Sequence, residues 1–373
     1  MPVYEDPSDG VRVEAEKLSR WTAATLERVG TPPDIAADVA EVLVASDLRG
    51  IASHGTARMP QYVRLVEAGV MDPRARPVRE RGKPALARFD AGNGWGHHAA
   101  RVATDDAIGR ARELGAAISS VRNTNHYGIA GWYAMRIAGS GLIGMSLTNT
   151  SPLVAATRAR TPLLGTNPIA VAAPSGRFGM VVLDMATSAV PRGRIEVAAR
   201  RGESLPAGWA ISADGSPATS ADDALLGSLL PLGGAEDTGG HKGYGLALVV
   251  EILCGILADA AFGPNVVGLF STEGPSDLGQ FFLAIDPAAI GGAAAFESRL
   301  ERLVEQLTSA PTAAGAPGPV LFPGQPEAER ALRQAEIGIA IDRGHHASLL
   351  ELGARLGTDF PSSRPLGAAT AES

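Results

Sequence analysis

The run Ser53-His54-Gly55-Thr56-Ala57-Arg58 places a hydroxyl, an imidazole and a guanidinium side by side, directly after an amphipathic stretch. If that stretch is a helix and continues, Ser53 or His54 and Arg58 share a face about one turn apart. A neutral imidazole accepts a proton near neutral pH, and a guanidinium grips a carboxylate through two parallel N–H donors. Together they are the minimum needed to handle a 2-hydroxy or 2-oxo acid. Taken alone, the run fits a water-facing helix end better.

Further groups with chemical potential follow along the chain. In Asn123-Thr124-Asn125-His126-Tyr127-Gly128 a histidine follows a strand, flanked by amides that can hold it in one tautomer; a solvated turn is the competing reading. Asn149-Thr150-Ser151-Pro152 and Gly165-Thr166-Asn167-Pro168 are turns whose N–H groups and hydroxyls could bond a ribose or phosphate, with ordinary turn chemistry as the alternative. Leu183-Asp184-Met185-Ala186-Thr187-Ser188 ends an apolar strand on a carboxylate, which can orient an imidazole or cap the next segment. Gly239-Gly240-His241-Lys242-Gly243-Tyr244-Gly245 runs straight into an apolar helix at Leu246. Free amides at the helix start and a lysine between glycines suit a phosphate, and a plain glycine-rich loop does not account for that lysine.

These groups must be carried by a framework, and length and composition bound it. A chain of 373 residues exceeds the usual size of one core, so two lobes are expected. Apolar content of 45% and charged content of 20% are those of a soluble globular protein. The net charge of −7, with no basic stripe, argues against nucleic acid. The single cysteine, Cys254, sits in an apolar run and reads as a buried small hydrophobe. The acidic start MPVYEDPSDG has no signal-peptide pattern, and the longest apolar run is broken by Glu251 and Asp259, so no membrane span and a cytoplasmic location are expected.

Periodicity predicts helices over residues 11–29, from an N-cap at Thr31 through Ser46, and over 58–67, 97–114, 244–257, 296–307 and 327–341. Short apolar runs at 116–121, 143–148, 168–173, 180–184 and 281–285 read as strands of a buried sheet. Residues 308–319 read as an exposed connection and the tail after Phe360 as disordered. Gly92-Asn93-Gly94-Trp95-Gly96 follows no convincing strand, and no G-x-G-x-x-G fingerprint, P-loop or nucleophile elbow occurs elsewhere. His345-His346 lacks partners at metal spacing and reads as a solvent-facing helix cap, so no metal is expected.

Taken in order, Asp47-Leu48-Arg49-Gly50, Ser53-His54-Gly55, Asn125-His126, Leu164-Gly165-Thr166-Asn167-Pro168, Asp184-Met185-Ala186-Thr187-Ser188 and Gly240-His241-Lys242-Gly243-Tyr244-Gly245 resemble the non-Rossmann malate/L-lactate dehydrogenase family over residues 14–342. That family includes ureidoglycolate and sulfolactate dehydrogenases and cyclic ketimine reductases. The resemblance implies an α+β fold with a helical domain from both chain ends (1–115 with 296–373) and an NAD(P)-binding domain (116–295) on a largely antiparallel sheet. It implies NAD or NADP as cofactor, a small carboxylate substrate, and a homodimer with active sites near the interface.

By the same resemblance His126 is the first choice for proton acceptor. Ser53, His54 and Asp184 form a relay, and Arg58 with Arg49 receives the substrate. Thr150, Thr166, Asn167, Asp184, Met185, Ala186, His241, Lys242, Gly243 and the Pro323-Gly324 turn contact the cofactor. Gln325 stands where that family usually carries Glu. The expected reaction is hydride exchange between NAD(P) and C2 of a 2-hydroxy or 2-oxo acid. Reduction of cyclic ketimine carboxylates is the alternative, and a Ser53-His54-Asp184 hydrolase the alternative from another class.

Overall fold

The computed structural model describes residues 6–366. Its centre is a seven-stranded sheet whose spatial order is β1-β2-β3-β7-β4-β5-β6. The strands are β1 (Val78–Lys83), β2 (Leu86–Asp90), β3 (Ala116–Thr124), β4 (Ile143–Thr148), β5 (Ile169–Pro174), β6 (Met180–Met185) and β7 (Leu278–Ile285). Every neighbouring pair is antiparallel except β2 with β3. The sheet is therefore open, mixed and largely antiparallel, as expected. β7 arrives late in the chain yet lies in the middle, and its Phe281, Phe282 and Ala284 are buried. Truncating Phe282 to alanine would cost about 3–5 kcal/mol.

Helices α1 (Ala15–Arg28), α2 (Pro33–Leu48) and α3 (Met59–Glu67) pack around Leu18, Leu26, Ile35, Leu43 and Tyr62. Leu349 and Leu352 of α9 (Arg343–Leu356) enter that same core, so the two chain ends close one helical layer. Helices α4 (Gly96–Leu114) and α5 (Ala130–Ala138) cover the sheet through Ala99, Ala103, Tyr133 and Ala134, packed on Val121 and Phe282. α6 (Gly240–Val250) continues as a π-helical turn, Glu251–Ile256. α7 (Ala293–Thr308) and α8 (Gln325–Ile337) follow.

Several local expectations are corrected. The chain opens with a strand, Gly10–Val13, and α1 begins only at Ala15; Ile339–Asp342 and Arg364–Pro365 pair with that strand on either side. So α8 ends before Ile339, and the described part of the tail is held by sheet pairing, while residues 367–373 lie outside the described residues. Pro32, not Thr31, is the N-cap of α2, and Thr31 is buried.

β2 does precede Gly92-Asn93-Gly94-Trp95-Gly96, and β2, α4 and β3 form a parallel crossover. That loop is no dinucleotide cradle. The Asn125 side chain donates to Asn93 and Gly94 oxygens, and a Cβ on Gly96 would lie 1.9 Å from the Asn125 carbonyl.

Sheet register decides where the chemistry lies. Thr124 at the end of β3 and Thr148 at the end of β4 flank the start of β7. Leu147 stands opposite Ile169 at the start of β5, and Ile169 opposite Met185 at the end of β6. The segments carrying His126, Thr150, Asn167 and Asp184 therefore leave the sheet from the same end.

Candidate active site

The Ser53-His54-Gly55 turn connects α2 to α3 through two short 3-10 turns, Ala52–His54 and Thr56–Arg58. It is pinned from below by the buried Asp47. Asp47 Oδ2 accepts both the Thr56 amide (3.0 Å) and the Thr56 hydroxyl (2.6 Å). Because the hydroxyl spends its proton there, Thr56 Oγ1 can only accept from His345 Nε2, at 3.1 Å. His345 is thus buried under the turn rather than solvent-facing, and α9 reaches the site through it. Burial raises the Asp47 carboxyl to about 7 and lowers the His345 imidazole to about 4. Nothing in the local sequence foretells this pairing.

Above the turn two imidazoles stack. His54 and His126 lie with ring centroids 5.5 Å apart and planes 28° from parallel. Ser53 Oγ is 2.9 Å from His54 Nδ1. On His126, Nδ1 is 2.7 Å from the Tyr62 hydroxyl and 3.2 Å from the Gly128 N–H, which donates to it. Nδ1 of each ring is engaged, and Nε2 of each has no protein partner among the described residues.

Crowding by protein lowers both imidazoles, although each keeps some solvent-accessible surface. Desolvation, then the Arg58 charge, brings His54 to about 4; His126 falls well below its usual range for the same first reason, with His54, His97 and Arg58 adding to it. Both rings are therefore neutral at physiological pH.

Tyr62 and His97 escaped the sequence reading. Tyr62 follows Arg58 by one helical turn, a signal that could have found it. His97 packs edge-on to Tyr62 with centroids 5.2 Å apart, and burial brings its imidazole to about 3.

Arg58 donates through Nε to the Ser53 carbonyl at 2.6 Å and pairs with no carboxylate among the described residues. Its two terminal nitrogens remain for a ligand. Arg49, the C-cap of α2, is half-buried and makes no ion pair within salt-bridge distance among the described residues; Glu327 and Asp184 lie near enough to act on its charge. Asp184 Oδ2 accepts the Gly131 N–H at the start of α5 (2.9 Å). Crowding raises its carboxyl to about 6 against the pull of that amide and of Arg49, yet its surface stays open to solvent. The Pro323-Gly324 turn sits on the same strand, with the Pro323 carbonyl accepting the Val182 N–H at 2.9 Å.

Asp184 bonds neither His54 nor His126, so Ser53, His54 and Asp184 do not assemble as a hydrolase triad. Gln325 spends its amide on Glu329 and on the Phe322 N–H.

The segments read for a nicotinamide cofactor divide into shapers and open groups. Asn167 is fully buried at φ 34°; its side-chain Oδ1 accepts from the Thr150 N–H, and its side-chain Nδ2 donates to Ala247 O and Glu251 Oε1. Its side chain shapes the site and is closed to a ligand. The buried Glu251, read only as an interruption of an apolar run, is the acid that holds Asn167 and Asn149 together.

Thr150 and Thr166 stay half-exposed, with their hydroxyls 3.3 Å apart, and Met185 and Ala186 are half-buried at the end of β6. In α6, Gly243 is packed on Leu232, while Gly245 meets nothing within 4 Å. His241 and Lys242 are exposed, and no carboxylate pairs with Lys242 among the described residues. The Gly240 and Lys242 amides are already spent on Ala235 and Gly239 carbonyls, so attraction for an anion falls chiefly to the ammonium. An open glycine, a cation without a carboxylate partner among the described residues and a pair of half-exposed hydroxyls fit a phosphorylated cofactor.

The profile of the malate/L-lactate dehydrogenase family matches residues 13–350. The chain belongs to the malate/L-lactate dehydrogenase family. It is 42% identical to malate dehydrogenase of Pyrococcus abyssi over 80% of this chain and 82% of that one. With L-sulfolactate dehydrogenase of Methanothermobacter thermautotrophicus the identity is 36% over 89% and 93%. The solved malate dehydrogenase of Pyrococcus horikoshii superposes with a TM-score of 0.88, covering 96% of this chain and 99% of that one at 34% identity. This family member is an NAD(P)-dependent dehydrogenase of small hydroxy acids. None of its helices is long and apolar enough to cross a membrane, and no group of His, Cys, Asp or Glu could hold a metal, among the described residues.

Proposed function

We propose that the enzyme exchanges hydride between NAD(P) and C2 of a small 2-hydroxy or 2-oxo acid at the stacked His54 and His126 rings, with the carboxylate on Arg58. The observation that carries this is the convergence of two neutral imidazoles, each with Nε2 unpartnered, on a guanidinium without a counter-ion. In oxidation His126 takes the hydroxyl proton on Nε2 from its Nδ1–H tautomer, in which the ring donates to the Tyr62 oxygen and gives up the longer Gly128 contact. His54, steadied by Ser53, stands beside it to relay the proton onward; in reduction the order reverses. Tyr62 orients His126. Arg49 and Asp184 stand near each other where α2, α5 and β6 approach, Arg49 as a second carboxylate contact and Asp184 as a cofactor contact.

When bound, the cofactor supplies the hydride chemistry. Thr150, Thr166, Met185, Ala186, His241, Lys242 and the Pro323-Gly324 turn would hold it, with Asn167 and Gly243 shaping the site beneath. In this reading residues 1–115 with 296–373 furnish most substrate contacts and 116–295 most cofactor contacts, with His126 and the Pro323-Gly324 turn reaching across, within a cytoplasmic enzyme.

The protein works as a homodimer in this reading. From Leu246 onward, α6 and its π-helical extension carry apolar side chains outside as well as inside: Ala247, Val250 and Cys254 face inward, whereas Leu246, Leu248, Val249, Ile252, Ile256 and Leu257 are exposed. A helix of that kind is normally covered on both sides. A second copy seated there would bring Lys242 close to the interface.

Malate, lactate, sulfolactate, ureidoglycolate and cyclic ketimine carboxylates, each offered with NAD and NADP and followed at the nicotinamide absorbance, test the reading. Turnover of hydroxy acids supports it. Turnover confined to the imines moves it to the reductase alternative, and no turnover overturns it.

A further inference from the structure

The connection from the π-helical turn to β7, residues 257–277, does not lie on the sheet it serves. Its ends are tied down: Asp277 accepts the Asn123 and Ala261 amides, each at 3.1 Å. Between those ties the loop crosses to the helical layer. Gly268 passes Ser151, where an added Cβ would come within 3.1 Å of the Ser151 hydroxyl. Leu269 packs against the core of α1, α2 and α3, and the Phe270 carbonyl accepts from the Arg64 guanidinium of α3. These anchors bring the Phe270 ring over Arg58, with the guanidinium carbon 5.2 Å from the ring centroid.

We propose that Phe270 is a positioning residue for substrate binding: its ring covers one face of the Arg58 guanidinium and, with the Ser53 carbonyl on Nε, leaves only the terminal nitrogens to meet a carboxylate. The inference rests on the assignment of Arg58 as the carboxylate group. A guanidinium on a flexible stem loses orientational freedom when it grips a planar anion, and fixing it beforehand removes part of that cost. Nε is already fixed by Ser53, so the remaining freedom is tilting, which a ring against one face restrains. Arginine is weakly hydrated, so an aromatic face can cover it at little cost while the quadrupole attracts the charge. The ring is 59% exposed, so core packing does not explain its place.

The test compares Phe270→Ala, Phe270→Leu and Phe270→Tyr in the full-length enzyme, with malate and lactate as probes. Phe270→Ala and Phe270→Leu should raise KM about threefold to tenfold, with kcat within about twofold and the cofactor Kd unchanged. Phe270→Tyr should restore KM, because the face is what matters. Placed in an Arg58→Lys background, Phe270→Ala should cost much less than in the wild type.

A wild-type KM in Phe270→Ala, full rescue by leucine, or an undiminished penalty in the Arg58→Lys background would each overturn the proposal. Where Arg58→Lys weakens binding and Phe270→Ala does not, only this inference fails. Where Arg58→Lys itself leaves KM unchanged in an enzyme that turns over hydroxy acids, the Arg58 assignment fails and this inference with it.

Discussion

His54 and His126, far apart in the chain, meet as a stacked pair with ring centroids 5.5 Å apart. Each ring lowers the proton affinity of its neighbour, because two adjacent imidazolium ions repel. The pair can therefore hold one proton between them far more easily than two, which suits a site that takes up a single proton per turnover.

Replacing His126 with Asn should lower kcat by roughly 10²–10⁴-fold and leave cofactor binding intact. In the wild type the acid limb of kcat/KM should lie well below pH 6.5, since crowding brings His54 to about 4 and His126 down with it. The sign follows from depressed bases: the competent neutral form is present above the lowered value and lost as pH falls through it. His126→Asn should abolish that limb, whereas His54→Asn should slow turnover but keep it. The opposite pattern in the two pH profiles exchanges the roles.

Arg58→Lys keeps the charge but loses the planar fork. We expect kcat/KM for the carboxylate substrate to fall about tenfold to a hundredfold, or roughly 1.4–3 kcal/mol. Steady-state kinetics at the wild-type level would remove Arg58 from the substrate site.

Lys242→Ala should raise the Kd for the nicotinamide cofactor and flatten its dependence on salt, since an exposed ammonium acts through screened charge. Titration calorimetry at low and moderate ionic strength reads both effects. An unaltered Kd would place the phosphate elsewhere.

Stability should carry the mark of His97. Its buried ring stays neutral down to about pH 3, whereas in the unfolded chain it titrates near 6.5. The stability this provides is present above pH 6.5 and is lost as pH falls toward 3. At about pH 4.5 the loss from this residue is on the order of 2 kcal/mol. His97→Phe should narrow the difference between the denaturant midpoints at pH 7 and 4.5, because the shifts of Asp47 and Asp184 are common to both proteins and cancel. Equal differences in variant and wild type would contradict this.

The helices and most strands of the central sheet were legible because their signals are local. Apolar residues at helical or alternating spacing, bounded by glycine and proline, mark 97–114 or 143–148 without knowledge of any partner. Ser53, His54, Arg58 and His126 stood out as candidates for a related reason: each sits in a run whose residue types have a chemical use even out of context. Gly10–Val13 and Arg364–Pro365 were missed because a short strand is stable only through pairing, and its partners come from opposite ends of the chain. The βαβ crossover at Leu86–Asp90 was missed for the same reason, its parallel partner lying beyond α4.

By itself, then, the sequence determined the inventory: imidazoles, guanidinium groups, glycine turns at strand ends, and the order in which they occur. Tertiary structure decided which of them touch. It stacked His54 on His126, set Tyr62 against His126, buried His345 beneath Thr56, closed Asn167 to ligands and left Asp184 bonded to neither stacked ring. The physical reason is range. Helix and strand propensities act over a few residues, whereas the proton affinity of an imidazole and the freedom of a guanidinium are set by whatever the folded chain packs within a few ångströms, however distant in sequence.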